Sequence, residues 1–324
     1  MTTRRAFLGT MAGGVAAGLG GPRRADAQGT TPVKIGGVVL GDFGVTTPTV
    51  VAIEKGYFAQ QGLQAEFIPF KGGPDLLKGV LAGSADLGIS GATDPLVFRE
   101  RGTTIRAIAC NLEKNHFTLI VGPQIKRLED LKGGTIGCTV AGSTTWVFGR
   151  MIARKMGWDP EKDVRILGAG ALDALTAALR RNEIQAFVFG DAGAVVEAQG
   201  AGRILMRLDE VTPKWISLLT YATDEVIKAK RETLQKALRA IYQGHRFCRD
   251  NAEESIRIAA KAIGWSEPAT RRAYELVKPL LSVDGHIDVD AFKYIQDTLL
   301  ELGVLKTRLP LTDSYTTEFT PVKL

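Results

Sequence analysis

The feature that most constrains this chain is an alternation of short apolar strands and amphipathic segments that runs twice along its length. Val33 to Leu40 (VKIGGVVL) is a mostly apolar run rich in β-branched residues, of the kind that forms a buried strand. After the loop GDFGVTTP, the segment TVVAIEKGYFAQQG carries apolar residues at helical spacing. LQAEFIPF is the next strand, GPDLLKGVLAGS a helix opening near Pro74, ADLGIS a strand, TDPLVFRERG a helix and TIRAIAC a strand. From about Gly122 the pattern begins again, with strands TIGCTV, DVRILGA, QAFVFG and RILMRL separated by helices from Ser143, over ALDALTAALRRNE and over DAGAVVEAQG. From about Thr223 onward the pattern is nearly all helical. Strands alternating with helices predict an α/β chain with parallel sheets covered on both faces. Two such units, with no Pro/Gly/Ser-rich linker between them, predict two lobes joined through short strands.

The amino terminus is of another kind. Arg4-Arg5, then Phe7-Leu8, a Gly/Ala-rich apolar stretch and the small residues of Ala25-Asp26-Ala27 make residues 1–27 a Tat-type export signal, removed near Gln28. The apolar run is shorter than the roughly 18–20 residues that span a bilayer and is broken by glycines. No cysteine follows it for lipid attachment. The expected product is a soluble periplasmic protein that uses the Tat machinery once, during export. Losing Arg4, Arg5, Arg23, Arg24 and Asp26 lowers the formal charge from +6 to +3, too mild to imply nucleic acid. Cys110, Cys138 and Cys248 form no disulfide framework, and His116, His245 and His286 lack metal-ligand spacing. Neither a metal nor a cofactor is expected.

The run PTVVAIEKGYFAQQGLQAEFIPFKGGPDLLKGVLAGSADLGISG (Pro48 to Gly91), followed in order by LEDLKGGTIGCTVAGSTT, ALRRNEIQAFVFGDAG and GAGRIL, closely resembles the substrate-binding proteins of ABC importers. The similar branch is the NMT1/THI5-like and SsuA/TauA-like group, which contains sulfonate, taurine, nitrate and thiamine-pyrimidine binders. The resemblance implies a type II periplasmic-binding-protein fold, with two α/β lobes, a ligand cleft and a two-strand hinge. It places lobe I over residues 28–120 plus 220–324 and lobe II over 121–219, with FTLIVG and ISLLTYA as crossing strands. It also implies an inner-membrane ABC permease with its ATPase as partners, and a monomer.

The cleft can be sought from the residues themselves. In open α/β sheets ligands sit beyond the carboxyl ends of strands, where helix amino termini present unpaired N–H groups and partial positive charge. Four loops leave apolar strands and enter helices: Gly41 to Thr47, Gly91 to Thr93, Gly142 to Thr145, and Gly190 to Gly193. Lys71-Gly72-Gly73 follows the second strand. The candidate ligand contacts are therefore Thr46, Thr47, Gly73, Gly91, Thr93, Gly142, Ser143, Thr144 and Thr145. Asp42 and Asp191 would suit a ligand with an amine or ring N–H, and Phe43 and Trp146 would serve as apolar walls. Each has a plainer role beside it: helix capping for Ser143, Thr144, Thr93 and Asp191, a turn for Thr46 and Thr47, core for the two aromatics.

Catalysis has little to build on. There is no GxxxxGK[ST] phosphate cradle and no GxSxG nucleophile elbow, and no catalytic residue is expected. Loops rich in hydroxyls and N–H groups but poor in cations suit a small organic anion, a sulfonate or an aromatic carboxylate. The alternatives are a pyrimidine of the thiamine-precursor type, a sensory binding protein that feeds a receptor, and an enzyme on the same fold such as a desulfinase.

Overall fold

A computed structural model describes residues 30–38 and 41–324. The expected export signal over residues 1–27, and the last two residues of the expected first strand, lie outside the described residues. The first sheet and its helices begin with β1 (Thr31–Val38), α1 (Phe43–Glu54), the single turn α2 (Tyr57–Gln60), β2 (Leu63–Phe70), α3 (Gly73–Leu81), β3 (Leu87–Gly91), α4 (Thr93–Glu100) and β4 (Ile105–Leu112). The chain then builds a second unit from β5 (Thr118–Val121), β6 (Thr135–Cys138), α5 (Thr144–Lys155), β7 (Arg165–Gly168), α6 (Leu172–Arg180), β8 (Ala186–Phe189), α7 (Gly193–Ala198) and β9 (Arg203–Arg207). It returns to the first sheet as β10 (Leu218–Thr223) and finishes in α8 (Asp224–Ala229), α9 (Arg231–Asp250), α10 (Ala252–Ile263), α11 (Glu267–Val277), α12 (Val289–Glu301) and α13 (Leu311–Ser314). Among the described residues no helix is long and apolar enough to cross a membrane.

The two sheets have the orders β2-β1-β3-β10-β4 and β7-β6-β8-β5-β9. They are mixed rather than parallel throughout. β10 runs antiparallel to β3 and β4, and β5 antiparallel to β8 and β9. The cause is connectivity: each of these strands is the first that the chain forms after crossing from the other sheet, so it enters from the cleft side. Leu218 pairs with Gly91 at the carboxyl end of β3, and Thr118 with Phe189 at the carboxyl end of β8. Both crossings therefore pass the mouth of the cleft and contribute Phe117 and Leu218 to it.

One helix begins earlier than its sequence suggests. The stretch Gly41 to Pro48 reads as a Gly/Thr loop, yet α1 already starts at Phe43 and carries Pro48 inside. Asp42 supplies the reason: its Oδ1 accepts the Val45 N–H at 3.0 Å, the signature of an N-cap. The start is buried from Phe43 to Thr49, so Phe43, Thr46 and Thr47 belong to the helix packing. Phe43 packs edge-on against Tyr274, with ring centroids 5.7 Å apart.

The helical tail closes one face of the first sheet. In α9 the residues Leu234, Ala237, Leu238, Ile241, Tyr242, His245 and Cys248 recur at helical spacing and are all buried. His245 is fully buried, its ring stacked on Tyr242 with centroids 4.8 Å apart. Burial, aided by the positive charge of Arg249, lowers its pKa to about 3. An unfolded histidine titrates near 6.5. The folded state thus refuses a proton that the unfolded state accepts, and this contribution is present above pH 6.5 and lost as the pH falls from there towards 3. The total is on the order of 5 kcal/mol. Urea denaturation of His245→Phe should show a visibly shallower loss of stability between pH 6.5 and 4.5 than the wild type. Parallel pH curves for the two proteins would show that His245 is not the group responsible.

Candidate functional site

The carboxyl ends of β1, β3, β6 and β8 face one another across the gap between the sheets, and a cavity of about 40 Å³ lies between them. Its polar wall comes mainly from the strand-to-helix junction before α5. Gly142 makes that turn possible with a φ of 80°, in the left-handed region that a side chain disfavours. Ser143 caps α5, its Oγ accepting the Trp146 N–H at 3.3 Å. Ser143 Oγ, Thr145 Oγ1 and Thr139 Oγ1 form a closed triangle of hydroxyls with edges of 2.8, 3.0 and 3.0 Å. Thr145 Oγ1 also accepts the Thr139 N–H at 3.0 Å.

Thr144 turns to the opposite lobe. Its hydroxyl lies 2.5 Å from Thr93 Oγ1 and donates to Asp94 Oδ1 at 3.4 Å. Asp94 is 1 % exposed and also receives the Ser90 hydroxyl at 2.6 Å and that of Thr93 at 3.3 Å. Burial raises its pKa to about 6 in spite of these three donors. A carboxyl group thus sits in the cavity wall, and the lining carries no lysine or arginine.

A second cluster joins both lobes to the crossings. Asp191, at the end of the β8 strand, reaches over to α1: its Oδ1 accepts the Phe43 N–H at 3.0 Å and its Oδ2 the Gly44 N–H at 2.9 Å. Asp42 Oδ2 lies 3.0 Å from His116 Nε2, and His116 Nδ1 lies 2.5 Å from Ser217 Oγ. Burial pushes Asp42 upward, but His116 and the Val45 amide outweigh it and hold the carboxyl below its ordinary range. Asp191 is driven well above that range by burial and by the charge of Asp42.

Asp42, His116 and Asp191 place possible ligand atoms within 4.8 Å of one another. Gly190 packs against them so closely that a Cβ there would lie 2.2 Å from Asp42 Oδ2 and 2.5 Å from His116 Nε2. In this structure the cluster is a hydrogen-bonded brace between α1, His116 and Asp191. Ser217, His116 and Asp42 also have the composition of a nucleophilic triad, but the Ser217 side chain is wholly buried and does not line the cavity.

Of the residues expected from sequence, Asp42, Gly73, Gly91, Ser143, Thr144 and Thr145 line the cavity. Thr93 stands behind them, bonded to Thr144, and Asp191 caps α1 across the lobes. Gly142 makes its turn outside the lining. Phe43, Thr46 and Thr47 lie in the buried start of α1. Trp146 lies elsewhere on α5, its ring under the Arg150 guanidinium at 4.7 Å. The apolar wall is made instead by Val38, Val45, Phe117, Phe189 and Leu218. Gly72 and Gly190, from two of the expected loops, also line it, and Thr139 and Asp94 complete the lining without a local sequence signal. Asp94 looks there like an ordinary first-turn acid, since the helix dipole favours one at that position.

Comparisons with known proteins agree with this architecture. A protein of Brucella abortus (strain 2308), provisionally named as a binding protein, is 23% identical over 303 residues, covering 90% of this chain and 92% of its own length. The alkanesulfonate-binding protein SsuA from Xanthomonas axonopodis pv. citri, solved with MOPS bound, superposes with a TM-score of 0.77 at 18% identity, over 90% of this chain and all of its own. The desulfurization enzyme DSZB shares the fold more distantly, with a TM-score of 0.61 at 14% identity, over 89% of this chain and 97% of its own. The sequence profile described as NMT1/THI5 like matches residues 44–255. With the periplasmic-binding-protein fold and a cleft between its two sheets, the chain belongs to the NMT1/THI5-like family.

Proposed function

We propose that this chain is an exported solute-binding protein of an ABC importer: it is carried to the periplasm by its Tat-type leader, works as a monomer, closes its lobes over a small solute and delivers it to a membrane permease driven by an ATPase. Closure has a chemical basis in Asp191. The Phe43 and Gly44 amides at the start of α1 are buried and take their hydrogen bonds from the other lobe. If the lobes part, water replaces Asp191 at those amides. Binding without turnover fits the site better than catalysis, because the Ser143 hydroxyl is bonded to two threonine hydroxyls and to no base.

The solute class follows from Asp94. An organic anion, a sulfonate or aromatic carboxylate, would meet the hydroxyls of Ser143, Thr144 and Thr145, but also Asp94, with no lysine or arginine in the lining to offset it. A solute whose head carries N–H donors meets the same hydroxyls and pairs with Asp94. That reading, with the carboxyl of Asp94 as the observation that carries it, is the one we adopt; a ring or amidine nitrogen is the chemistry that answers it.

Two measurements test these statements. Small-angle scattering of ligand-free Asp191→Ala should show a larger radius of gyration than the wild type, because the α1 amides then gain water only by opening. An unchanged profile would remove Asp191 from the closure mechanism. For the head group, methylguanidine and ethanesulfonate serve as probes in isothermal titration. An N–H-bearing cation binds the ionised form of Asp94, so methylguanidine affinity should rise about tenfold as the pH goes from 5 to 7, levelling above the Asp94 pKa of about 6. Asp94→Asn should lose about tenfold or more at pH 7, the worth of one charge-assisted bond, and flatten the profile. Tight ethanesulfonate binding that ignores both pH and this substitution would overturn the N–H reading in favour of the anion.

A further inference from the structure

The central cavity, at about 40 Å³, is too small for an organic solute, since pockets for such molecules usually enclose roughly 300 Å³ or more. A groove of about 390 Å³ opens beside it at the meeting line of the lobes, walled by Gly41, Phe70, Lys71, Leu172, Ile263 and Trp265. The two spaces share backbone twice. Gly41 faces the groove and Asp42 the cavity; Lys71 faces the groove and Gly72 the cavity.

What divides them is two seams, each joining one lobe to the other across a glycine. At Gly41 a Cβ would lie 3.5 Å from Leu172, and at Gly72 it would lie 3.0 Å from Val140 and 3.3 Å from Thr139. Glycine leaves each seam without a side chain on one side, so parting the lobes by the thickness of an alkyl chain joins the two spaces. Trp265, in the turn between α10 and α11, is partly buried and packs against apolar residues of both lobes. The groove's charged residues, Lys71 and Asp173, are exposed, whereas Leu172 is buried and Phe70 and Trp265 are partly so.

We propose that this groove is the tail subsite of the bound solute: the solute joins a compact N–H-bearing head, seated against Asp94, to an apolar chain or ring that passes between Gly41 and Gly72 and lies on Phe70, Leu172 and Trp265. The proposal rests on the head-group reading above and adds the class of the remainder of the molecule. It makes Trp265 and Leu172 determinants of which solutes are taken, since they touch a part of the molecule that the central cavity never meets. It also assigns a reason for the narrowness of the cavity, which needs to hold the head alone.

Titration calorimetry with methylguanidine and hexylguanidine at pH 7 separates the two levels. Hexylguanidine should bind at least about tenfold more tightly, well below what five fully buried methylenes would supply. Trp265→Ala and Leu172→Ala should each erase most of that gain and leave methylguanidine affinity within about twofold of the wild type, which also shows that the variants fold. Equal affinity for the two probes in the wild type, or a gain that survives both substitutions, overturns the tail subsite while the head reading stands. If methylguanidine itself fails to bind, the head reading falls and the subsite falls with it.

Discussion

The amides that begin α1 set the terms for the rest of the cleft. A helix leaves its first N–H groups without intrahelical partners, and where the helix start is buried those groups must find acceptors. Asp42 meets one of them from within the same lobe, at Val45. The Phe43 and Gly44 amides are met by Asp191, which belongs to the other sheet. The approach this demands explains Gly190, whose backbone presses on Asp42 and His116 where any side chain would collide. It explains too why His116 and Ser217, on the two crossings between sheets, bond to each other beneath Asp42. Hinge, helix start and opposite lobe are thus held by a single connected set of polar groups.

This arrangement reverses the electrostatic logic of an anion site. Helix amino termini attract anions, and several converge here, but the chain has supplied its own carboxyl oxygens: Asp191 on α1, and Asp94 at the start of α4 beside Gly73 of α3. With that positive potential already answered, an incoming sulfonate meets carboxyl oxygens and no compensating cation. The raised pKa of Asp94 states the same fact from the protein's side, since burial makes its charge costly until a partner arrives.

Much of the fold was legible because strand and helix periods are local. LQAEFIPF coincides with β2, and the junction from Gly142 to Thr145 is the cap and turn that its glycine and hydroxyls announce. What escaped is what depends on distant partners. The antiparallel direction of β5 and β10 is decided by where the chain crosses between sheets, which no window of residues records. GDFGVTTP reads as a loop, and only the cap at Asp42 together with the packing of α1 shows Pro48 inside a helix. Thr46 and Thr47 were drawn towards the cleft by that misreading. Asp94 was passed over for the opposite reason: an acid in a first helical turn is so ordinary that its exposure to a cavity built by the other lobe leaves no local mark. His116 and Ser217 are 101 residues apart and become neighbours only when both crossings are in place.

The contacts that close the cleft are formed with protein groups alone, and this bears on how a solute can act. A ligand shifts a conformational equilibrium only by its differential affinity for the two states. Here the closed state already contains the bonds from Asp191 to α1 and the contact from Thr144 to Thr93 and Asp94. In the open state the same groups are hydrated, so each bond contributes only about 1 kcal/mol net. Under the proposed closure, three or four such bonds favour the closed form without deciding the matter, and the solute would need to add only about a few kcal/mol at the head cavity to complete it. Part of that contribution is bought by displacing protein contacts: a head group that reaches Asp94 competes with Thr144 for the same oxygen. A solute that bonds to Asp94 and leaves the Thr93 to Thr144 contact intact would close the lobes most firmly, and the small volume of the cavity is what imposes that choice on the head.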